Sequence, residues 1–173
     1  MSPYVSLIIW RWVESGDIEV LLALRSAFQY DDPSRVQPQD FCGGWQIFPS
    51  GKLGGDEGSP LHAAWSKLRD DGGVMAMIGL KALVGSNPAR LRQVDQNCFA
   101  IEIKESDNFD GDSDFLNLVN LSPNYTLVAW KPLGEILNFN DLALYRNGVP
   151  KGVKAIFKDQ LDLIKKLADQ VRR

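Results

Sequence analysis

Hydrophobic and polar positions change rhythm several times along the chain, and each change marks an element. Residues 4–13 are rich in β-branched and aromatic side chains and suit a strand. ESGD at 14–17 is turn chemistry, and IEVLLALR at 18–25 makes a second strand, so the two pair as a hairpin. Residues 31–39, DDPSRVQPQ, carry two prolines and no apolar period, which predicts a loop. A short strand at 45–48 ends at Pro49, and a glycine-rich loop follows over 50–58. Ser59 is placed to cap a helix, Pro60 to occupy its first turn, and Gly72–Gly73 to end it. Within it Leu61, Ala64, Trp65 and Leu68 form one apolar stripe. Further strands are expected at 74–84, 98–104 and 125–131, and a short helical turn at 133–137. From Val153, the apolar positions Ile156, Phe157, Leu161, Ile164, Leu167 and Val171 keep helical spacing, with Lys and Asp on the other face. No repeat or long linker interrupts the pattern. The expectation is a single α/β domain over 1–173, with a mixed sheet and at least two helices.

Composition narrows the partners. The 173 residues carry a net charge of −3. There is no basic surplus to neutralise a nucleic-acid polymer, although a few local groups suffice for a small nucleotide. Cys42 and Cys98 lie far apart, and with one histidine they do not make a zinc site. Reduced thiols and a cytoplasmic setting are expected. The N-terminal apolar run is too short and too interrupted to span a bilayer, so no membrane is implied.

The stretch GGWQIFPSGKLGGDEGSPLHAAWSKLRDDGGV, residues 43–74, sets a strand, a glycine-rich loop, a capped helix and a glycine stop in order. It resembles the box of the Nudix (MutT-like) hydrolase superfamily. That box is a glycine, five residues, a glutamate, seven residues, then Arg-Glu-aliphatic-x-Glu-Glu-x-Gly-aliphatic. GGWQIFPSGKL is similar to the approach that precedes it. Leu68 and Val74 fill the aliphatic positions, Gly73 the glycine, and Asp70 and Asp71 the paired glutamates. Two departures stand out. Eight residues, not seven, separate Glu57 from Ser66, and Ser66 and Lys67 replace the Arg-Glu pair, so the box is degenerate. LLALRS and WKPLGEI extend the resemblance over most of the chain. It implies a Nudix-like α/β/α sandwich: a mixed central β-sheet with flanking helices, including a long C-terminal helix.

The family cleaves a nucleoside diphosphate linked to a group X with Mg²⁺ or Mn²⁺, because a highly anionic diphosphate needs a hard cation to neutralise it and to activate water. Helical carboxylates one turn apart converge on that ion. Here positions 66 and 70 share one stripe, and 67 and 71 the next. Asp70 and Asp71 are each a methylene shorter than glutamate, and Lys67 sets a positive charge where the family sets a negative one. The resemblance makes Glu57, Ser66, Lys67, Asp70 and Asp71 the catalytic positions, with Glu57, Asp70 and Asp71 as metal ligands; Asp56 is a further loop acid. Arg25, Phe28, Tyr30 and Lys52 are candidate substrate contacts, the two aromatics for stacking on a base.

Three functions follow as expectations: a protein that binds a nucleoside diphosphate derivative and cuts it weakly or not at all; an active metal-dependent hydrolase; and a protein-interaction domain that keeps only the fold. Mg²⁺ or Mn²⁺ is expected of an active enzyme, and no cofactor of the others. A homodimer is an open option. Bland roles are expected elsewhere: His62 on the surface, Trp130 in the core, and ESDNFDGDSD at 105–114 as a mobile, solvated acidic loop.

Overall fold

A computed structural model describes residues 4–55, 58–109 and 111–172. Strands β1 (Tyr4–Trp12) and β2 (Ile18–Arg25) form the expected antiparallel hairpin, with Trp10 opposite Val20. Asp17 and Gly16 make its turn, Gly16 at φ 81°. On its other side β1 runs parallel to β8 (Cys98–Glu102), from Ser6↔Cys98 to Trp10↔Glu102. Antiparallel β7 (Leu91–Asp95) extends that edge. Strand β2 pairs antiparallel with both β5 (Trp45–Ile47) and β9 (Tyr125–Pro132). The sheet is therefore mixed. A small separate arm is built from β3 (Phe28–Gln29) and β4 (Gln37–Pro38).

Alternation along the central strands fills two cores. Leu7, Ile9, Leu21 and Ala23 face one side and pack with Ala64, Trp65 and Leu68 of helix α1 (Pro60–Gly72) and Ala76 and Leu80 of α2 (Val74–Ser86). Ile8, Trp10, Val20 and Leu22 face the other and pack with Ile164, Leu167 and Ala168 of the C-terminal helix. Each such buried Leu, Ile or Val side chain contributes roughly 1.5–3 kcal/mol. The period of two along the strands thus makes the helix/sheet/helix layering.

Four expectations are corrected. Residues 74–84, read as a strand, form α2. VMAMIGLKALVGS is apolar all round, so periodicity cannot separate a buried strand from a helix; its length and its Ala, Met, Leu and Lys content favour the helix. Lys158–Val171 is the C-terminal helix, starting five residues later than Val153. Ala155 and Ile156 instead form a strand beside Trp45 and Asn140–Asp141. Ser50–Lys52, read as part of the loop, is β6 and pairs with the start of β1. Finally, the acidic segment is solvated only in part: Asp107 and Phe109 are buried, and Asp107 is clamped by Arg90 through bonds of 2.6 and 2.7 Å, while Glu105, Ser106, Asn108, Ser113 and Asp114 are exposed. Burial alone would raise the Asp107 carboxyl, but the Arg90 hydrogen bonds and charge outweigh it and hold it below the ordinary range. Short helical turns occur at Leu133–Ile136, as expected, and at Phe115–Leu118. No helix is long and apolar enough to cross a membrane among the described residues.

Candidate functional site

Helix α1 is punctuated as its sequence demands. Ser59 caps it, accepting the His62 amide at 3.2 Å, and Pro60 stands in the first turn. With Ala64, Trp65 and Leu68 turned into the core, the remaining faces are fixed. Lys67 and Asp71 lie half-buried along one edge, one turn apart. Ser66 is also half-buried. Asp70 points outward and pairs with its neighbour Arg69 at 3.2 Å. His62 is exposed, as expected.

The edge carrying Lys67 and Asp71 faces β6 and the start of β9. The methylenes of Lys67 cross Gly51, where an added Cβ would lie 3.1 Å from both Cδ and Cε and 3.6 Å from Nζ. Asp71 is held to the other wall. Its carbonyl accepts the Ser122 amide at 2.8 Å, which straps the entry to β9 onto the helix. The hydroxyl of Tyr125, the first residue of β9, then donates to Asp71 Oδ2 at 3.3 Å. Burial pushes the Asp71 carboxyl up to about 6; the Tyr125 bond and the Lys67 charge pull against this, while Asp70 and Asp31 add to it. Carboxyls displaced in this way are commoner at functional sites than elsewhere. Burial, then the charge of Asp71, raises the Tyr125 phenol in turn.

Behind Tyr125 lies a buried polar network. The Gln46 amide donates to the Tyr125 hydroxyl at 2.9 Å and to Ser50 Oγ at 3.3 Å. Its oxygen accepts from Arg25 Nη1 at 2.8 Å. Gln160 of the C-terminal helix also donates to Ser50 Oγ, at 3.1 Å, and accepts the Ile47 amide. Arg25 binds the Asp40 carbonyl through Nη2 at 2.9 Å and Nε at 3.3 Å. Its guanidinium therefore braces protein groups.

The other candidates are more open. Lys52 is exposed and sits opposite Tyr4 across the β1–β6 pair. Phe28 and Tyr30 are 47% and 38% exposed on and beside the β3–β4 arm. That arm is tied down where the Tyr30 amide donates to Asn124 Oδ1 at 2.7 Å and Asn124 donates to Asp31 at 2.6 Å. Trp130 is half-buried beneath Arg11, whose guanidinium stacks 4.2 Å from its ring centroid. Glu57 and Asp56 lie outside the described residues. Among the described residues, no group of three or more His, Cys, Asp or Glu converges as metal ligands do. Tyr125, Gln46, Ser50, Gln160 and Tyr4 were not singled out from the sequence. The one local signal for any of them is a glutamine set between Trp45 and Ile47 in an apolar strand.

No protein-family model matches the chain, and neither does any curated protein. Solved structures do match. An Ap4A hydrolase of C. elegans, solved as a binary complex, superposes with a TM-score of 0.52 at 14% identity, covering 99% of this chain and 98% of that one. A Listeria monocytogenes protein assigned as a NUDIX hydrolase gives 0.52 at 12% identity, covering 99% and 95%. The C-terminal domain of mouse MUTYH, solved in complex with human PCNA, gives 0.52 at 13% identity, covering 98% and 88%. The chain has the Nudix fold. Identities this low show the fold alone, and activity has to be argued from the site.

Proposed function

We propose that this protein binds a nucleoside diphosphate linked to a further group through a single domain spanning 1–173, and that it hydrolyses this ligand weakly or not at all. The observation that carries this reading is the placement of Lys67 one helical turn from Asp71 on the half-buried edge of α1, near enough for its charge to act on the Asp71 carboxyl. In a Nudix box this helix edge gathers carboxylates around a divalent ion. Here an ammonium group occupies the glutamate position, so it supplies positive charge to a diphosphate directly. An ammonium neutralises phosphate oxygens but does not generate a metal-bound hydroxide, and so favours binding over cleavage. The described carboxylates fit a resident Mg²⁺ or Mn²⁺ poorly, since Asp70 turns outward to Arg69 while Asp71 turns inward to Tyr125. Phe28 and Tyr30 offer aromatic surface for a base, worth ~1–3 kcal/mol per stacked base in nucleic-acid complexes.

One observation favours an active hydrolase instead. A carboxyl brought to about 6, as burial brings Asp71, is suited to general-base work near neutral pH. The likeness to a domain solved with PCNA keeps an interaction role as the third reading. A turnover panel separates them. Nucleoside triphosphates, ADP-ribose, dinucleoside polyphosphates and nucleotide sugars are incubated with the protein and Mg²⁺ or Mn²⁺, and products are followed by phosphorus NMR. The binding reading expects no cleavage above the Asp70→Asn/Asp71→Asn control, together with a raised Tm in the presence of at least one compound. Metal-dependent turnover that the control abolishes would replace it with the hydrolase. No turnover and no stabilisation would leave the interaction domain.

A further inference from the structure

Four side chains from four separate segments make one unbroken chain of hydrogen bonds: Arg25 on β2, Gln46 on β5, Tyr125 on β9 and Asp71 on α1. Its sense follows from donor chemistry. Arginine only donates, so the group it meets at 2.8 Å must be the amide oxygen of Gln46. That fixes the amide orientation and turns its NH₂ toward Ser50 Oγ and the Tyr125 oxygen. A tyrosine hydroxyl has one proton. With its oxygen already accepting from Gln46, that proton is directed at Asp71. The far end is anchored too, because Arg25 holds the Asp40 carbonyl twice, beside Phe41, whose φ of 58° is unusual for a non-glycine residue.

We propose that Arg25, Gln46 and Tyr125 are positioning residues: a one-way relay that makes the Tyr125 hydroxyl donate to Asp71 and so holds the carboxylate one helical turn from Lys67. The structure itself carries the relay, and only its consequence for ligand binding rests on the function proposed above. Gln46 and Ser50 are 5% exposed, so water does not readily replace a missing partner. The last link, at 3.3 Å, is longer than a good O–H···O bond of ~2.7 Å, so it is the link to test and the one with room to tighten.

Gln46→Glu reverses the relay without changing its shape. The introduced carboxylate still accepts from Arg25 but cannot donate, so the Tyr125 hydroxyl turns toward it and away from Asp71. The readout is hydrogen–deuterium exchange of the Tyr125 hydroxyl in the ligand-free protein, followed by the isotope shift on its ζ carbon and assigned with Tyr125→Phe. Asp71→Ala is expected to speed this exchange by ~5-fold or more, the equivalent of losing one ordinary hydrogen bond. In the Gln46→Glu background the same change is expected to have no effect, since the proton no longer points at Asp71. Arg25→Met, which frees the Gln46 amide to flip, shrinks the Asp71→Ala effect by a second route should Gln46→Glu fail to fold. No effect of Asp71→Ala in the otherwise natural chain would overturn the relay. So would an equal effect in both backgrounds, which is what mere exposure of the hydroxyl gives.

A second arm uses inorganic pyrophosphate as the probe. Gln46→Glu and Tyr125→Phe should each weaken its binding by ~5-fold, and the two together no further, because they break one chain. Additive losses would contradict a common path. Failure of the natural protein to bind pyrophosphate counts against the binding reading, and hydroxyl exchange then decides the relay alone.

Discussion

Lys67 lies across Gly51, so closely that a Cβ at Gly51 would stand 3.1 Å from two carbons of the lysine chain. The glycine is thus the floor over which the lysine side chain lies. Gly51→Ala asks only a flexible side chain to move by a few tenths of an ångström. It should change folding stability by less than about 1 kcal/mol while weakening pyrophosphate binding by roughly one hydrogen bond's worth, about fivefold. Calorimetric titration beside a urea melt checks both halves. Unchanged affinity would remove Gly51 from the site.

The Asp71 carboxyl gives the protein a pH signature. Burial raises it from an ordinary 3.8 to about 6, so between these values the folded chain holds more protons than the unfolded chain. Stability therefore falls as pH rises through that window and is level with respect to this group above it. Asp71→Asn removes the dependence. The variant should match the natural chain at pH 4 and exceed it by about 1–3 kcal/mol at pH 8. Urea melts of the two proteins at both pH values test this. A variant less stable at pH 8 would mean that the ionised carboxylate is a net stabiliser.

Arg90 and Asp107 are a structural pair of the opposite kind. Their side chains are 14% and 6% exposed, and the carboxylate also accepts the Lys104 amide at 2.7 Å. Asp107→Ala leaves Arg90 buried without its partner and should destabilise by about 3 kcal/mol. Because the folded carboxyl lies below its unfolded value, this stabilisation is present above pH ~4 and is lost as pH falls through the folded pKa. Pyrophosphate affinity should not change. Chemical denaturation of both proteins at pH 7 and pH 3 gives the comparison, and an equal difference at the two pH values would contradict it.

Helix α2 makes a simpler test of the fold. Leu80 is fully buried, whereas Met75 and Ile78 are 52% and 50% exposed on the opposite side. Leu80→Ala should cost about 2–5 kcal/mol, and Ile78→Glu about 0.5 kcal/mol or less. A strand at 74–84 would place 78 and 80 on the same face, and the two changes would then behave alike.

How much of this the sequence revealed depended on how local the signal was. The β1–β2 hairpin and α1 were legible because alternation, turn residues and capping all act within a few positions of each other. α2 was not, since an all-round apolar run has no face to betray its period. Ile156 keeps helical spacing with Lys158–Val171, yet its backbone and that of Ala155 are claimed by Trp45 and Asn140–Asp141, a contact made between distant segments. The site divides in the same way. Lys67 and Asp71 were legible because one helical turn separates them. Gln46 and Tyr125 were not, because they are 79 residues apart and meet only when β2 brings β5 and β9 to its two sides. Arg25 is picked out by its charge as a phosphate contact, whereas its bonds to Gln46 and to the Asp40 carbonyl are made between distant segments and leave no local signal.

In the function proposed here, Lys67 stands where a metal ion would otherwise be needed. The direct measurement is calorimetric titration of pyrophosphate into the natural protein and into Lys67→Glu, each with EDTA and with Mg²⁺. The natural protein should bind equally well in both buffers, and Lys67→Glu should lose binding in EDTA and regain it with Mg²⁺. Binding by the natural protein that requires Mg²⁺, or that survives Lys67→Glu in EDTA, would contradict that role.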